Sequence, residues 1–281
     1  MNIKEQVAAF DRRYELRQKE ILALIHGMDR AYKVGDFWHT SKNILAYIDL
    51  DSKELIKAEG RLSWLIAEKK RQKHGSAYPY FFKNDYIYRL RVRPLAYSAV
   101  SADELPYVYN SFIVVKVIRK NVSNDALNEV LKEYLKPVIL TDDILGEFKL
   151  NKDYGWFEGD FQWLGEKVSV SFDYVDIVDR ETWTQALGAL RVLYNEQTQR
   201  DAEFREFAAR ALTETANEWA DEGAAQITRE DFTKKIGLSE INVNPEGDFT
   251  AYYDDGDLFY GHIIEIKGNV EDGLKEANIS G

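Results

Sequence analysis

Apolar side chains near the start of the chain recur at alternating steps of three and four positions. The residues are Ile3, Val7, Phe10, Tyr14, Ile21, Leu24 and Met28, with Arg17 as the one break. Because such steps bring side chains to one face of a helix, the pattern predicts an N-terminal helix within residues 1–35. A stripe of this kind either packs on its own domain or pairs with a second copy in a coiled coil.

The segment 36–140 is instead rich in β-branched and aromatic runs. These runs are ILAYIDL, ELIKA, DYIYRLRVR and SFIVVKVIRK, and turn-forming residues separate them at DSK, GSAYP and ADELP. We therefore expect a small β-rich, barrel-like domain. Two short helices are predicted within it, one over GRLSWLIAEKKRQK (60–73) and one over residues 124–135, just before Pro137.

The segment 141–281 alternates between the two periodicities. Three alternating runs (GEFKLNKD, YGWFEGDFQW and KVSVSFDYV) are followed by two helical patterns over residues 181–221, a short helix at 228–236 and three further runs (EINVN, DFTAYYD and LFYGHIIEIKG). The order meander, helices, meander predicts an α+β domain whose helices cover one face of a sheet. The whole chain is thus expected to be α+β, with domains at 1–35, 36–140 and 141–281.

Composition narrows the classes of site and location. The chain has no cysteine, which excludes disulfides, thiolate metal sites and cysteine nucleophiles. The charged N-terminal sequence lacks the apolar region of a signal peptide, and no apolar run approaches the ~20 residues that cross a bilayer. We expect a cytoplasmic protein without a membrane segment.

Charge is divided unevenly along the chain. Residues 1–145 contain 24 basic and 19 acidic residues, whereas residues 146–281 contain 13 and 29, giving +5 and −16. The charge argues against a nucleic-acid partner for the whole protein and is compatible with docking on a charged protein partner, or of one half on the other.

The stretch YYDDGDLFYGH (252–262) concentrates acidic and aromatic residues. Asp255-Gly256 between aromatic runs predicts a two-residue hairpin turn, and in that register Asp254 faces Asp257. Opposed carboxylates repel each other. They are either simply solvated or, with a further acid, able to hold a divalent cation such as Mg²⁺.

A second acidic and aromatic stretch lies in the first of the two meanders. Trp156, Glu158 and Asp160 alternate, so they share one face of a predicted strand. If both meanders belong to one sheet, these carboxylates can approach Asp254, Asp257 or His262 and form an acid/base or metal site. The alternative is that the carboxylates are solvated and that His262 is a packing residue. The candidate binding residues are Trp156, Glu158, Asp160, Asp254, Asp257 and His262.

Basic residues form a stripe in the first half. Arg89, Arg91 and Arg93 alternate along YRLRVR and share a strand face. The stripe is a candidate anion site, for phosphate or nucleic acid; a solvated face or a contact with the acidic second half is the alternative.

Several blocks of the second half resemble a bacterial family of uncharacterised proteins, domain of unknown function 2262. The blocks are LGEFKLNKDYGWFEGDFQWLGEKVSVS (145–171), ITREDF (227–232) and YYDDGDLFYGHIIEIKGNVEDGLKEANISG (252–281). The resemblance implies a bacterial intracellular protein and carries no catalytic role.

The sequence contains no GxGxxG, Walker A, HExxH or GxSxG motif, so neither a cofactor nor a metal is predicted. We expect a non-catalytic protein-interaction or binding module, with another protein as its partner. The alternatives are a divalent-metal-dependent hydrolase using the carboxylates and His262, and nucleic-acid binding through the arginine strand.

Overall fold

A computed structural model describes residues 3–75, 78–96, 110–173 and 181–281. The turn predicted at ADELP (102–106) lies outside these ranges. The chain divides into two compact units, Met1–Lys136 and Pro137–Gly281, here called the first and second unit. Both contain helices and strands, which confirms the α+β class and the β-rich character of the first half.

The first unit is a small barrel. Its elements are α1 (Ile3–Asp11), β1 (Lys19–Val34), β2 (Phe37–Asp49), β3 (Leu55–Ile56), β4 (Gly60–Ala67), α2 (Glu68–His74), β5 (Tyr86–Pro94), β6 (Ser111–Arg119) and α3 (Asp125–Tyr134). The sheet order is β1-β5-β6-β4-β2-β3, and β1 also pairs with β2, which closes five strands into a ring. The barrel-like expectation is confirmed.

The connectivity of this barrel identifies its topology. Without the two-residue β3, the five strands in chain order are β1, β2, β4, β5 and β6. Round the ring they follow as first, second, third, fifth and fourth, and the third and fifth (β4 and β6) are the parallel pair. This is the five-stranded Greek-key arrangement of OB-fold barrels.

The N-terminal stripe does not form one long helix. Helix α1 ends at Asp11, and β1 begins at Lys19. The cause is the run ILALI (21–25), which is buried on both strand faces: Ile21, Ala23 and Ile25 lie in one core cluster and Leu24 lies in another. A continuous apolar run of this kind matches helical spacing by coincidence.

The predicted helix at 60–73 is also wrong in its first half. Residues 60–67 form β4, with Leu62, Trp64 and Ile66 facing the barrel core, and only Glu68–His74 is helical. The helix predicted at 124–135 is α3, and the Asn124 side chain caps it by accepting a hydrogen bond from the Leu127 amide.

The second unit is one eight-stranded sheet covered by helices. Its elements are β7 (Ile139–Asp142), β8 (Gly146–Asn151), β9 (Trp156–Trp163), β10 (Glu166–Asp173), α4 (Glu181–Asn195), α5 (Gln197–Trp219), α6 (Arg229–Lys235), β11 (Gly237–Val243), β12 (Asp248–Asp254), β13 (Ile263–Asn269) and β14 (Gly273–Ser280). The strands follow chain order across the sheet, and only β10 and β11 are parallel. The helices form the crossover that joins those two strands.

The helices pack on one face of this sheet. The core contains Phe157, Phe161 and Phe172 from the strands and Leu190 and Phe204 from the helices. Because successive strand residues point to opposite faces, the other face carries the alternate residues. Core packing therefore determines which side chains form the open face.

A buried carboxylate ties helix to sheet. Asp201 of α5 accepts hydrogen bonds from the Tyr253 hydroxyl at 2.9 Å and the Trp163 indole at 3.3 Å, and it pairs with Arg205 at 2.5 Å. Burial, reinforced by this carboxylate, raises the pKa of Tyr253 well above its usual value. The network fixes α5 over β9 and β12.

None of the helices in the described ranges combines the length and the apolar character that crossing a bilayer requires.

Candidate functional site

The open face of the eight-stranded sheet carries a continuous row of side chains. Strand pairing aligns one residue from every strand, from one edge of the sheet to the other. In order from β7 to β14 they are Ile139, Lys149, Glu158, Ser171, Asn242, Thr250, Lys267 and Glu276. All except Ile139 are polar, as expected for the solvated face of a largely antiparallel sheet.

A groove of about 470 Å³ lies along part of this row, from β10 near the centre of the sheet to β14 at its edge. Its floor is formed by row residues from Ser171 to Glu276, and Trp156, Asn244, Asp248 and Lys275 border it. Ser171 donates a 2.6 Å hydrogen bond to the side-chain oxygen of Asn242. We call this feature the open-face groove.

Trp156 is the aromatic wall of the open-face groove. Its indole is half-buried and stacks on Tyr154, with ring centroids 4.7 Å apart and planes within 6°. The indole N–H donates to Glu158 at 3.2 Å, and Asn151 donates to the same carboxylate oxygen at 3.2 Å. These contacts hold the ring in one orientation, which is what a binding wall requires.

Asp160 lies one pleat further along β9. It pairs with Lys167 at 2.9 Å and accepts a hydrogen bond from Ser169 at 3.0 Å. The hydrogen bond from Lys167, followed by that from Ser169, lowers the pKa of the Asp160 carboxyl. Asp160 is therefore ionised at neutral pH and already has partners. The structure agrees with the predicted face, on which Trp156, Glu158 and Asp160 point outward.

The predicted two-residue hairpin at Asp255-Gly256 is wrong. Asp254 pairs with Ile263, so the connection between β12 and β13 is the eight-residue loop 255–262. The reason lies in Leu258 and Phe259, which are 4% and 0% exposed. A two-residue turn would place these neighbours on opposite faces of the hairpin, with one of them in solvent, whereas the loop buries both.

The carboxylate of Asp255 organises the loop. Asp255 is 5% exposed, and its side chain accepts hydrogen bonds from the backbone amides of Asp257 at 3.2 Å, Phe259 at 2.6 Å and Gly261 at 3.0 Å. Gly256 has φ of +58°, and a Cβ there would lie 2.5 Å from the Lys235 carbonyl oxygen. Two of the most conspicuous residues of the stretch thus have structural roles.

The remaining candidates of this stretch face different surroundings. Asp254 and Asp257 are exposed and are not paired across a turn. His262 packs edge-on against Trp219, with ring centroids 5.3 Å apart, and its Nδ1 lies 2.5 Å from the Phe259 carbonyl oxygen. Since a carbonyl only accepts, Nδ1 is the donor and carries the proton. The histidine is held as a packing residue.

The two acidic groups do not converge. Glu158 is level with Thr250 on β12, three strands away, which at about 4.8 Å per strand is about 14 Å. Asp254 lies four residues further along β12, about 13 Å more. Consistent with this separation, the described residues contain no group of three or more acids and histidines able to hold a metal ion.

The arginine stripe of the first unit has partners within that unit. Arg89 and Arg91 both bind Glu20, at 2.6 and 2.9 Å, and these hydrogen bonds lower the pKa of the Glu20 carboxyl. Arg93 pairs with Asp11 at 2.5 Å and donates to the Tyr14 carbonyl oxygen. The stripe fastens β5 to β1 and to the end of α1.

Sequence reasoning missed most of the open-face groove. Asn242, Thr250, Lys267 and Lys275 come from four strands, and the last of these, β14, was not predicted at all. Alternation alone marks Thr250 as outward in FTAYY, but only strand register places it beside the others.

Comparison with known families follows the same division of the chain. The family described as an uncharacterized protein conserved in bacteria (DUF2262) matches residues 142–279, and a domain of unknown function (DUF7021) matches residues 6–134. No match was found among curated proteins. The resemblance carried by the sequence blocks is thus confirmed, because the second half of the chain matches the DUF2262 family model.

Proposed function

We propose that the protein is a non-catalytic, cytoplasmic binding protein whose second unit holds an extended segment of a partner protein in the open-face groove. The observation that carries the proposal is the polar row across the sheet, bordered by an aromatic ring held in place. Rigid aromatic rings surrounded by hydrogen-bonding groups are typical of protein interfaces.

The dimensions of the groove favour a chain segment. Its floor crosses five strands, from Ser171 to Glu276, which is about 19 Å at the usual strand spacing. An extended peptide of about six residues has this length. Serine, asparagine and threonine side chains supply both donors and acceptors for the amide groups of such a segment.

Charge indicates the kind of partner. Residues 146–281 carry a formal charge of −16, and on the open face acids outnumber lysines. The outward acids are Glu147, Glu158, Asp160, Glu240, Asp248, Asp254, Glu265 and Glu276, and the lysines are Lys149, Lys167, Lys267 and Lys275. Complementary potentials speed association and favour the right partner, so we infer a basic partner.

The test is affinity capture of the full chain from the soluble fraction of its source cells, followed by binding measurements with the purified partner. The wild-type chain should retain one protein in stoichiometric amount. Trp156→Ala and Asn242→Ala should each weaken that complex at least about tenfold, the size of a hot-spot loss.

Gln162→Ala is the matched control, because Gln162 is exposed on β9 outside the groove. It should leave the affinity unchanged. Equal retention by the wild type and the Trp156 and Asn242 variants, or no stoichiometric partner at all, contradicts the proposal. The membrane fraction, processed in parallel, tests the cytoplasmic location.

A further inference from the structure

A second concave site lies in the first unit, between α1 and the barrel. Its volume is about 240 Å³. The apolar part of its lining comes from α1, β1, β2 and β4, through Ala9, Phe10, Val34, Phe37 and Leu65. We call it the α1 pocket. A mostly apolar concavity with a few polar groups is the usual form of a small-molecule site.

The polar groups of the α1 pocket include an unsatisfied histidine. His39 is 8% exposed, and its Nε2 has no hydrogen-bond partner among the described residues. Its Nδ1 is bonded to the Tyr32 hydroxyl. A buried polar atom without a partner costs about 1–3 kcal/mol, so such atoms call for an explanation.

The tautomer of His39 follows from its surroundings. Burial, with the positive charges of Arg13 and Arg61, lowers its pKa to about 4, so the ring is neutral at neutral pH. A phenol is the more acidic partner of a neutral imidazole, so Tyr32 donates to Nδ1 and the proton lies on Nε2. The atom without a partner is then a hydrogen-bond donor.

Arg13 adds a charge to the same pocket. Its side chain lines the cavity, and within the described ranges no carboxylate forms an ion pair with it. A guanidinium matches the geometry of a carboxylate and binds it through two parallel hydrogen bonds. The pocket therefore combines apolar walls with a cation and an unsatisfied donor, and both polar groups suit an anion.

We propose that the α1 pocket binds a small organic carboxylate, with its carboxylate on Arg13 and its apolar body against Phe10 and Leu65. The size of the pocket sets the class: it is smaller than the ~300–1,000 Å³ of sites for drug-sized ligands, so one ring or a short branched chain fills it.

The position of α1 excludes a longer ligand. OB barrels hold oligonucleotides and oligosaccharides on the face of their second and third strands, which here are β2 and β4. Phe10 lies edge-on to His39 on that face, with ring centroids 4.9 Å apart. Among the described residues, the helix thus occupies space that a polymer would need on this face, and the α1 pocket lies beside it.

Benzoate and its uncharged analogue benzamide are the probes, and calorimetric titration of the full chain is the measurement. Benzoate should bind saturably with a stoichiometry of one, and benzamide at least about tenfold more weakly, because it lacks the charge that Arg13 recognises. This comparison uses only the wild-type chain, so it does not depend on a variant folding.

Arg13→Gln should weaken benzoate binding at least about tenfold, equivalent to about 1.4 kcal/mol. Arg12→Gln is the matched control: Arg12 is the exposed neighbour and does not line the pocket, so benzoate affinity should be unchanged. Equal binding of benzoate and benzamide, equal effects of the two substitutions, or no saturable benzoate binding at millimolar concentration would each overturn the proposal.

Discussion

The side chain of Asp255 gives the sharpest prediction for a single residue. Replacing it with alanine leaves the buried amide of Phe259 and the part-buried amide of Gly261 without their acceptor. Unsatisfied buried donors cost about 1–3 kcal/mol each, so Asp255→Ala should lower the free energy of unfolding by about 3 kcal/mol. Urea denaturation followed by circular dichroism measures this change.

Asp257→Asn is the control for that measurement, because Asp257 is exposed and asparagine tolerates its φ of +64°. Its effect should stay within about 0.5 kcal/mol. If the two substitutions are equally mild, the carboxylate of Asp255 does not organise the loop.

His39 predicts a pH dependence of stability. Its pKa is lowered from 6.5 to about 4 by burial and by Arg13 and Arg61. A lowered folded-state pKa means that the unfolded chain takes up the proton first, so this contribution to stability is complete above pH 6.5 and is lost as the pH falls towards 4. The loss amounts to about 3 kcal/mol.

Removing the imidazole should remove this dependence. Urea midpoints of His39→Gln should fall less between pH 7 and pH 4.5 than those of the wild type, while His74→Gln, at an exposed histidine, should retain the wild-type slope. Parallel slopes for all three proteins would show that His39 is protonated equally in the folded and unfolded states.

At this scale, sequence reasoning succeeded where only alternation mattered. Trp156, Glu158 and Asp160 share a face because β9 is a regular strand. It failed at residues 255–262, where the burial of Phe259 overrode the turn preference of Asp-Gly.

At the scale of elements, the capping box of α6 can be tested directly. The Thr228 hydroxyl accepts from the Asp231 amide at 3.1 Å, and the Asp231 carboxylate accepts from the Thr228 amide at 3.0 Å. Thr228→Ala should lower the free energy of unfolding by about 1 kcal/mol. Asp231→Glu, which restores the usual residue of the box, should leave the free energy of unfolding unchanged. Equal losses for the two variants in urea denaturation would contradict the capping box.

The two strands that were predicted as helix have one physical cause in common. Strands β1 and β4 carry dense apolar runs, which sequence patterns cannot distinguish from helices when both strand faces are buried. Helices α3, α5 and α6 were predicted because each has one solvated face. Strands β9, β10 and β12 were predicted because their apolar and polar residues alternate. Strand β14 was missed because its segment KEANIS lacks a β-rich pattern.

At the scale of the molecule, we propose that each unit is an independent domain. The core of the second unit is drawn from Leu145 to Ile266, and the two clusters of the first unit from Ile21 to Leu127. The fragment 137–281 should therefore fold alone and unfold in one cooperative transition. Calorimetry of the isolated fragment checks this, and a fragment without a transition would contradict it.

The charge of the second half also makes a prediction for the proposed complex. Its −16 charge acts over a Debye length of ~30 Å at 0.01 M salt and only ~8 Å at 0.15 M. The association rate with a basic partner should therefore fall about tenfold or more over that range. Stopped-flow measurement of an unchanged rate would exclude electrostatic steering.

The central claim is that the open-face groove is where the partner lies, and hydroxyl-radical footprinting of the captured complex tests it most directly. Complex formation should protect the solvent-accessible side chains of the groove, half-buried Trp156 and exposed Lys275 among them, and leave α5 on the opposite face unprotected. Protection confined to α5, or to the first unit, with Trp156 as reactive as in the free protein, would contradict the account.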